Sequence, residues 1–152
     1  MAKLDTPIAI RKLAMDILAM REHGRIELKR KLLRKGALAE LVEAVLDQLT
    51  ADKLLSEHRY LETYIHSRVN SGYGPLRIQQ ELLERGINKS DITTALAITN
   101  YDWYEQLNTV WQRKFNRLPQ DQKEKAKQGR FLLYRGFSLE MVSQLLKEKL
   151  KN

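Results

Sequence analysis

Lys127, Arg130, Phe131, Tyr134 and Arg135 set two aromatic rings among three cations within a short stretch of chain. Rings interleaved with Arg and Lys are contact chemistry: they anchor protein hot spots and stack on exposed bases. A second group is Ser71-Gly72-Tyr73-Gly74-Pro75 with Arg68 and Arg77 nearby. Its glycines allow the backbone a close approach to another surface, and Tyr73 can stack. A third is a basic helix whose Arg30, Lys31 and Arg34 point outward beside Glu27, with Ile26 and the leucines inward. Each group also has a purely structural reading. The ring pair can bury itself against the helix carrying Trp103 and Trp111, the loop can be a tight connection with Tyr73 tucked in, and the basic face can be simply solvated.

Catalytic chemistry is harder to assemble. The chain has no phosphate-cradling Gly-rich loop ending in Lys-Ser/Thr, no nucleophile elbow and no His-Glu-x-x-His. His23, His58 and His66 are scattered, and the last two lie two helical turns apart without an obvious third metal ligand. The carboxylates are dispersed and face cations at i to i+4, Glu27 with Lys31 for example. The absence of Cys excludes disulfides, thiolate metal sites and cysteine nucleophiles. The expectation is a protein that is not an enzyme and carries no cofactor or metal. The start lacks the apolar run of a signal peptide, and no stretch approaches a membrane-spanning length. A cytoplasmic location, no membrane partner and, without any heptad run, a monomer are therefore expected.

These groups sit on a repeating scaffold. Leu32-Leu33-Arg34-Lys35-Gly36 returns as Leu82-Leu83-Glu84-Arg85-Gly86 and as Leu132-Leu133-Tyr134-Arg135-Gly136, each time after 50 residues. Val42, Ile92 and Val142 correspond, as do Leu46, Leu96 and Leu146. A period of this size marks a repeat architecture. The motif predicts a helix with paired leucines on its buried side, a cation near the negative end of its dipole and a terminating Gly. Around it, Thr6-Pro7 opens a first helix that stops near His23-Gly24, followed by helices over 25–35 and about 38–52. Ser56 caps the next, Pro75 starts another after the glycine break, and Asn88 or Ser90 caps the sixth. Asp102 and Glu105 form a capping box for a seventh helix ended by Leu118-Pro119. The eighth covers about 120–135, and Ser138 caps the last. Nothing alternates as a strand does.

The fold expected is all-α: three tandem three-helix repeats, helix-turn-helix-like units at 1–52, 53–100 and 101–152, stacked into an elongated, curved array. The net charge is +8, with 10 Lys/Arg against 8 Asp/Glu in residues 1–52, 6 against 5 in 53–100 and 11 against 6 in 101–152. A polyanionic or acidic partner would meet most of that excess at the C-terminal end.

Three stretches resemble the RecX family, bacterial regulators of the RecA recombinase. They are Tyr73-Gly74-Pro75-Leu76-Arg77-Ile78-Gln79-Gln80-Glu81-Leu82 with Arg85-Gly86-Ile87, Arg130 through Ser138, and Leu18 through His23 with Glu27 through Leu32. The likeness runs in order through nearly the whole chain. Two departures stand out: Gly24 where the family usually has Ser, and Ser56-Glu57-His58-Arg59-Tyr60-Leu61 where it commonly has Asp-Asp-x-x-Phe-Ala. The resemblance implies a non-enzymatic protein that binds the RecA–single-stranded DNA filament and limits its extension, ATPase and strand exchange in recombinational repair and the SOS response. It also implies some contact with single-stranded DNA. The candidate contact residues are Arg30, Lys31, Arg34, Arg68, Tyr73, Arg77, Lys127, Arg130, Phe131, Tyr134 and Arg135. The alternative is an autonomous helical DNA-binding protein without sequence specificity, since only Arg77, Gln79 and Gln80 could read base edges.

Overall fold

Helix-forming stretches alternate with strong stop signals along the whole chain. The computed structural model describes residues 3–151, which form nine helices and no strand: α1 Pro7–Met20, α2 Arg25–Arg34, α3 Ala39–Ala51, α4 Glu57–Asn70, α5 Pro75–Glu84, α6 Lys89–Thr99, α7 Trp103–Lys114, α8 Gln122–Tyr134 and α9 Leu139–Lys151. They are three tandem three-helix repeats. Side-chain caps fall where local chemistry puts them: Thr6 Oγ1 accepts from Ala9 N at 3.2 Å, Ser56 Oγ from Arg59 N at 3.2 Å, Asp102 Oδ1 from Glu105 N at 3.1 Å and Ser138 Oγ from Met141 N at 3.2 Å.

The second helix of each repeat ends in the same way. Gly36, Gly86 and Gly136 take φ of +98°, +88° and +102°, a conformation that a Cβ would oppose. After α8, Gly136 N donates to Leu133 O at 3.0 Å and Phe137 N to Leu132 O at 3.4 Å, satisfying carbonyls the helix leaves open. The paired leucines, however, part company. Leu32, Leu82 and Leu132 are fully buried, whereas Leu33, Leu83 and Leu133 are 38%, 40% and 39% exposed. Consecutive helical residues point about 100° apart, so only the first of each pair can face the core.

Three helix ends differ from the sequence expectation. α1 stops at Met20, before His23-Gly24, because Arg21 is already extended. α7 ends at Lys114, short of Leu118-Pro119, where Asn116 takes φ of +48°. α8 starts at Gln122 because Asp121 caps it, its carboxylate accepting from Glu124 N at 2.8 Å.

By packing, the chain falls into two compact units. The first comprises the chain up to Thr63 with Glu84–Asn88, and the second Tyr64–Leu83 with the chain from Lys89 onward. The first unit's core gathers Ile10 and Ala14 of α1, Leu28 and Leu32 of α2 and Val42, Val45, Leu46 and Leu49 of α3. Each Val, Leu or Ile side chain among them stabilises by about 1.5–3 kcal/mol when fully buried. The two family departures meet here: a Cβ at Gly24 would lie 3.3 Å from the Tyr60 ring.

In the second unit, Leu107, Val110 and Trp111 of α7 pack with Leu132 of α8, Phe137 and Val142, Leu145 and Leu146 of α9. Trp111 Nε1 donates to Gln128 Oε1 at 2.9 Å, and Gln128 Nε2 donates to Arg117 O at 3.1 Å. Gln128 is fully buried and satisfied at both ends of its amide. Among the described residues no helix is long and apolar enough to cross a membrane.

Candidate functional site

Glycines bring two of the sequence candidates together in the second unit. α4 ends on Gly72 at φ of +87°, with Gly72 N donating to Val69 O at 2.9 Å and Tyr73 N to Arg68 O at 3.1 Å. The chain then docks on the turn after α8. Gly74 N donates to Arg135 O at 2.7 Å and Leu76 N to Gly136 O at 3.0 Å. This approach leaves no room for a side chain, since a Cβ on Gly74 would sit 2.5 Å from Gly136 O.

Tyr73 lies at the middle of the resulting cluster. The guanidinium carbons of Arg68, Arg77 and Arg135 stand 3.9, 4.4 and 4.8 Å from its ring centroid. Each such contact contributes about 0.5–2 kcal/mol, depending on desolvation. Glu81 supplies the counter-charge. It accepts a two-pronged bond from Arg68 (both 2.8 Å), one from Arg77 Nε at 3.3 Å and one from the Tyr64 hydroxyl at 2.9 Å. Burial alone would raise its pKa, but the bonds from Arg68 and Tyr64 and the Arg68 charge outweigh burial and hold it below the ordinary value of 4.5. Arg135 is anchored by donation to Ser71 O at 2.9 Å.

Arg77 also reaches outward. It donates to Tyr134 O at 3.3 Å and lies 4.8 Å from the Tyr134 ring centroid. Tyr134 itself is 72% exposed. The cluster therefore has an inner ring, Tyr73, held by three cations, and an outer ring, Tyr134, supported from behind by one of them.

The ring pair at 131 and 134 splits between its two possible placements. Phe131 is half-buried on the core of the second unit, edge-on to Phe115 with centroids 5.5 Å apart, and flanked by Lys114 and Arg135 at 5.1 and 5.0 Å. Tyr134 faces outward. Tyr73 is likewise half-buried, a part of the connection as well as of the cluster. Lys127 and Arg130 do not join them. They are exposed and line a separate hollow of about 320 Å³ with Arg117, Lys123, Asp121 and Glu124.

Arg30, Lys31 and Arg34 belong to the first unit. Arg30 and Arg34 are exposed as expected, but Lys31 is half-buried, as are its repeat equivalents Glu81 and Phe131. Position 31 follows the buried Leu28 by three residues and so flanks the inner stripe rather than opposing it. Ile26, expected inward, is 38% exposed. Glu27 does not pair with Lys31. It bonds Arg21 at 2.6 Å and Arg85 at 2.9 Å, while Lys31 Nζ lies 2.7 Å from His23 Nε2.

Glu81 and Gln128 were not singled out by the sequence as site residues, and Glu27 was read only as a surface partner of Lys31. The signal available for Glu81 was its place four residues after Arg77, the spacing of a helical ion pair. The histidines lie in different settings: His23 is buried, His58 is exposed beside Glu62, and His66 Nδ1 lies 2.8 Å from the Tyr101 hydroxyl.

Comparison with known proteins identifies relatives of the whole chain. The models of the first, second and third three-helix domains of RecX match residues 11–49, 56–96 and 100–146. Regulatory protein RecX of Pseudomonas fluorescens is 58% identical over 146 residues, covering 95% of this chain and 94% of that one. The chain belongs to the RecX family. RecX of Pseudomonas syringae pv. tomato is 56% identical over 95% of this chain and 94% of its own length, and that of Ectopseudomonas mendocina 54% over 95% and 97%. These relatives are named as regulatory proteins rather than as enzymes. The crystal structure of RecX from Lactobacillus salivarius shares the fold, with a TM-score of 0.80 at 22% identity over 93% of this chain and 95% of that one. A second RecX crystal structure gives 0.72 at 24% identity, over 93% and 73%.

Proposed function

We propose that this RecX family member restrains a RecA-type recombinase by binding its filament on single-stranded DNA, limiting filament extension, ATPase and strand exchange without catalysis of its own. The observation that carries the reading is the Tyr134–Arg77 pair. An exposed ring backed by a guanidinium, itself fixed by Glu81, is preorganised hot-spot chemistry. Tyr73, Arg68, Arg135 and Phe131 frame this surface more than they offer contacts, because their polar atoms or rings are already engaged within the unit. Lys127 and Arg130, with Lys123, form an exposed basic face of α8 suited to phosphates. We assign contact with single-stranded DNA to that face, and the protein acts in the cytoplasm as a monomer.

The test is recombinase ATPase on single-stranded DNA, titrated with wild type and with Tyr134→Ala. Tyr134 is exposed, so its removal should change stability by no more than about 0.5 kcal/mol. The inhibitory concentration should rise by about tenfold or more, as expected for a hot-spot ring. Equal inhibition by the two proteins, with equal melting, sinks this assignment. The alternative, a protein that simply coats DNA, is favoured by the same basic face of α8. It requires inhibition only near DNA saturation, with affinity for bare single strands falling at a log–log salt slope of about −2 for three phosphate contacts.

A further inference from the structure

A cleft of about 790 Å³ opens in the first unit between the C-terminal part of α1 and that of α2. Ile17 and Met20 give it an aliphatic wall, and Met20 is 85% exposed, with little of its thioether covered. Arg21, Lys31, Arg34 and Lys35 surround that wall, and none of the residues lining the cleft is acidic.

The cations are unevenly compensated. Arg21 is met by Glu27 at 2.6 Å. Lys31 has only a neutral partner. His23 Nδ1 lies 3.0 Å from Arg21 O, which can only accept, so that nitrogen carries the proton and Nε2 accepts from Lys31 at 2.7 Å. Neither Arg34 nor Lys35 has an ion pair among the described residues. Burial and then the neighbouring cations Arg21, Arg34 and Arg85 hold the Lys31 pKa below its ordinary value, outweighing the opposing charge of Glu27.

We propose that this cleft binds an acidic peptide segment carrying a bulky aliphatic side chain, whose carboxylates meet Lys31, Arg34 and Lys35 while the aliphatic group covers Ile17 and Met20. Charge complementarity selects an anion, and the aliphatic wall selects its kind. A nucleic acid would want an exposed ring on which to stack its bases, and the one ring lining this cleft, His23, is buried, whereas the exposed apolar surface is the aliphatic Met20. A peptide of Asp and Glu around Leu or Met satisfies both surfaces at once. This site is built from residues of the first unit alone and does not depend on the recombinase reading.

The experiment is fluorescence anisotropy with the full chain and a short fluorescein-labelled peptide of Asp and Glu interrupted by leucines. A matched peptide has serine in place of each leucine. The leucine peptide should bind saturably, and about tenfold more tightly than the serine peptide. Arg34→Glu combined with Lys35→Glu should weaken it by about tenfold or more. Met20→Ser should abolish the preference for leucine while leaving serine-peptide binding unchanged. These side chains are exposed, so the variants keep the fold, and Lys31 is left in place because it holds His23. The proposal is overturned by undetectable binding of the leucine peptide, by equal affinity for both peptides, or by unchanged binding to the charge-reversed variant. Displacement of the peptide by a single-stranded oligonucleotide at equal charge overturns it too, since the cleft would then be a nucleic-acid site. No recombinase enters the assay, so its failure and the failure of the filament reading are separate results.

Discussion

Replacing Gly74 by Ala tests whether the Tyr73–Tyr134 cluster rests on the contact between the 71–75 loop and the turn after α8. The added Cβ would lie 2.5 Å from Gly136 O, 2.6 Å from Gly136 C and 2.9 Å from Phe137 Cδ1. Two of these are backbone atoms, which cannot swing aside. The loop and the turn must separate, straining the bonds Gly74 N to Arg135 O and Leu76 N to Gly136 O, now 2.7 and 3.0 Å. Overpacking costs roughly 1–3 kcal/mol and each weakened hydrogen bond about 1 kcal/mol, so the loss should be about 2–4 kcal/mol. For a chain of 152 residues, each kcal/mol moves Tm by about 2–4 °C, giving a drop of roughly 5–15 °C. Gly36→Ala is the control. It has φ of +98° but nothing within 4 Å of the new Cβ. Left-handed strain, partly offset by a stiffer unfolded chain, should then cost only about 1 kcal/mol. Thermal melting followed by far-UV circular dichroism reads both variants. If Gly74→Ala melts as high as Gly36→Ala, the close approach of loop and turn does not govern stability and the reasoning fails.

Two further outcomes are expected. Gln128→Ala orphans the buried Trp111 indole N–H and the Arg117 carbonyl and leaves a cavity. It should cost about 2–4 kcal/mol in urea unfolding, and a loss below about 1 kcal/mol would show that water replaces the amide. Acid should weaken the protein in two windows. His23 is held below its ordinary 6.5 chiefly by burial, so the unfolded chain takes its proton more readily; the His23 contribution is present above pH 6.5 and is lost as pH falls from there through the lower folded value. Glu81 is depressed below 4.5, so its contribution persists down to about that pH and is lost below it. Urea midpoints across pH should show both declines. His23→Gln should flatten the first and Glu81→Gln the second, and an unchanged profile in either variant refutes that attribution.

The candidate surface was legible in parts but not as a whole. The Tyr73 loop and the Phe131–Tyr134 stretch each stood out by residue type, yet they read as separate groups, because the residues joining them are about sixty positions apart. The paired leucines illustrate the reverse error. Their repetition signalled a helix facing a core, but the pairing suggested that both were inside, and helical geometry allows only the first of each pair. Glu27 and Lys31, four residues apart, looked like a surface pair. Arg21 and Arg85 claim the carboxylate instead, and Arg85 reaches it from another repeat.

What the sequence determined by itself is what acts over three or four residues. Caps at Thr6, Ser56, Asp102 and Ser138, the left-handed glycines and the inward Leu32, Leu82 and Leu132 depend on nearest-turn sterics and hydrogen bonding. Repeated three times, those local rules specify the all-α repeat fold and carry the family signature. Tertiary structure decided which cations are already spent on carboxylates and which remain free, that Phe131 turns inward while Tyr134 faces out, and that Tyr73 comes to lie among three guanidiniums. Those outcomes depend on which distant chain segment the fold sets beside a given charge or cavity, and a pattern of nearby residues contains no such distance.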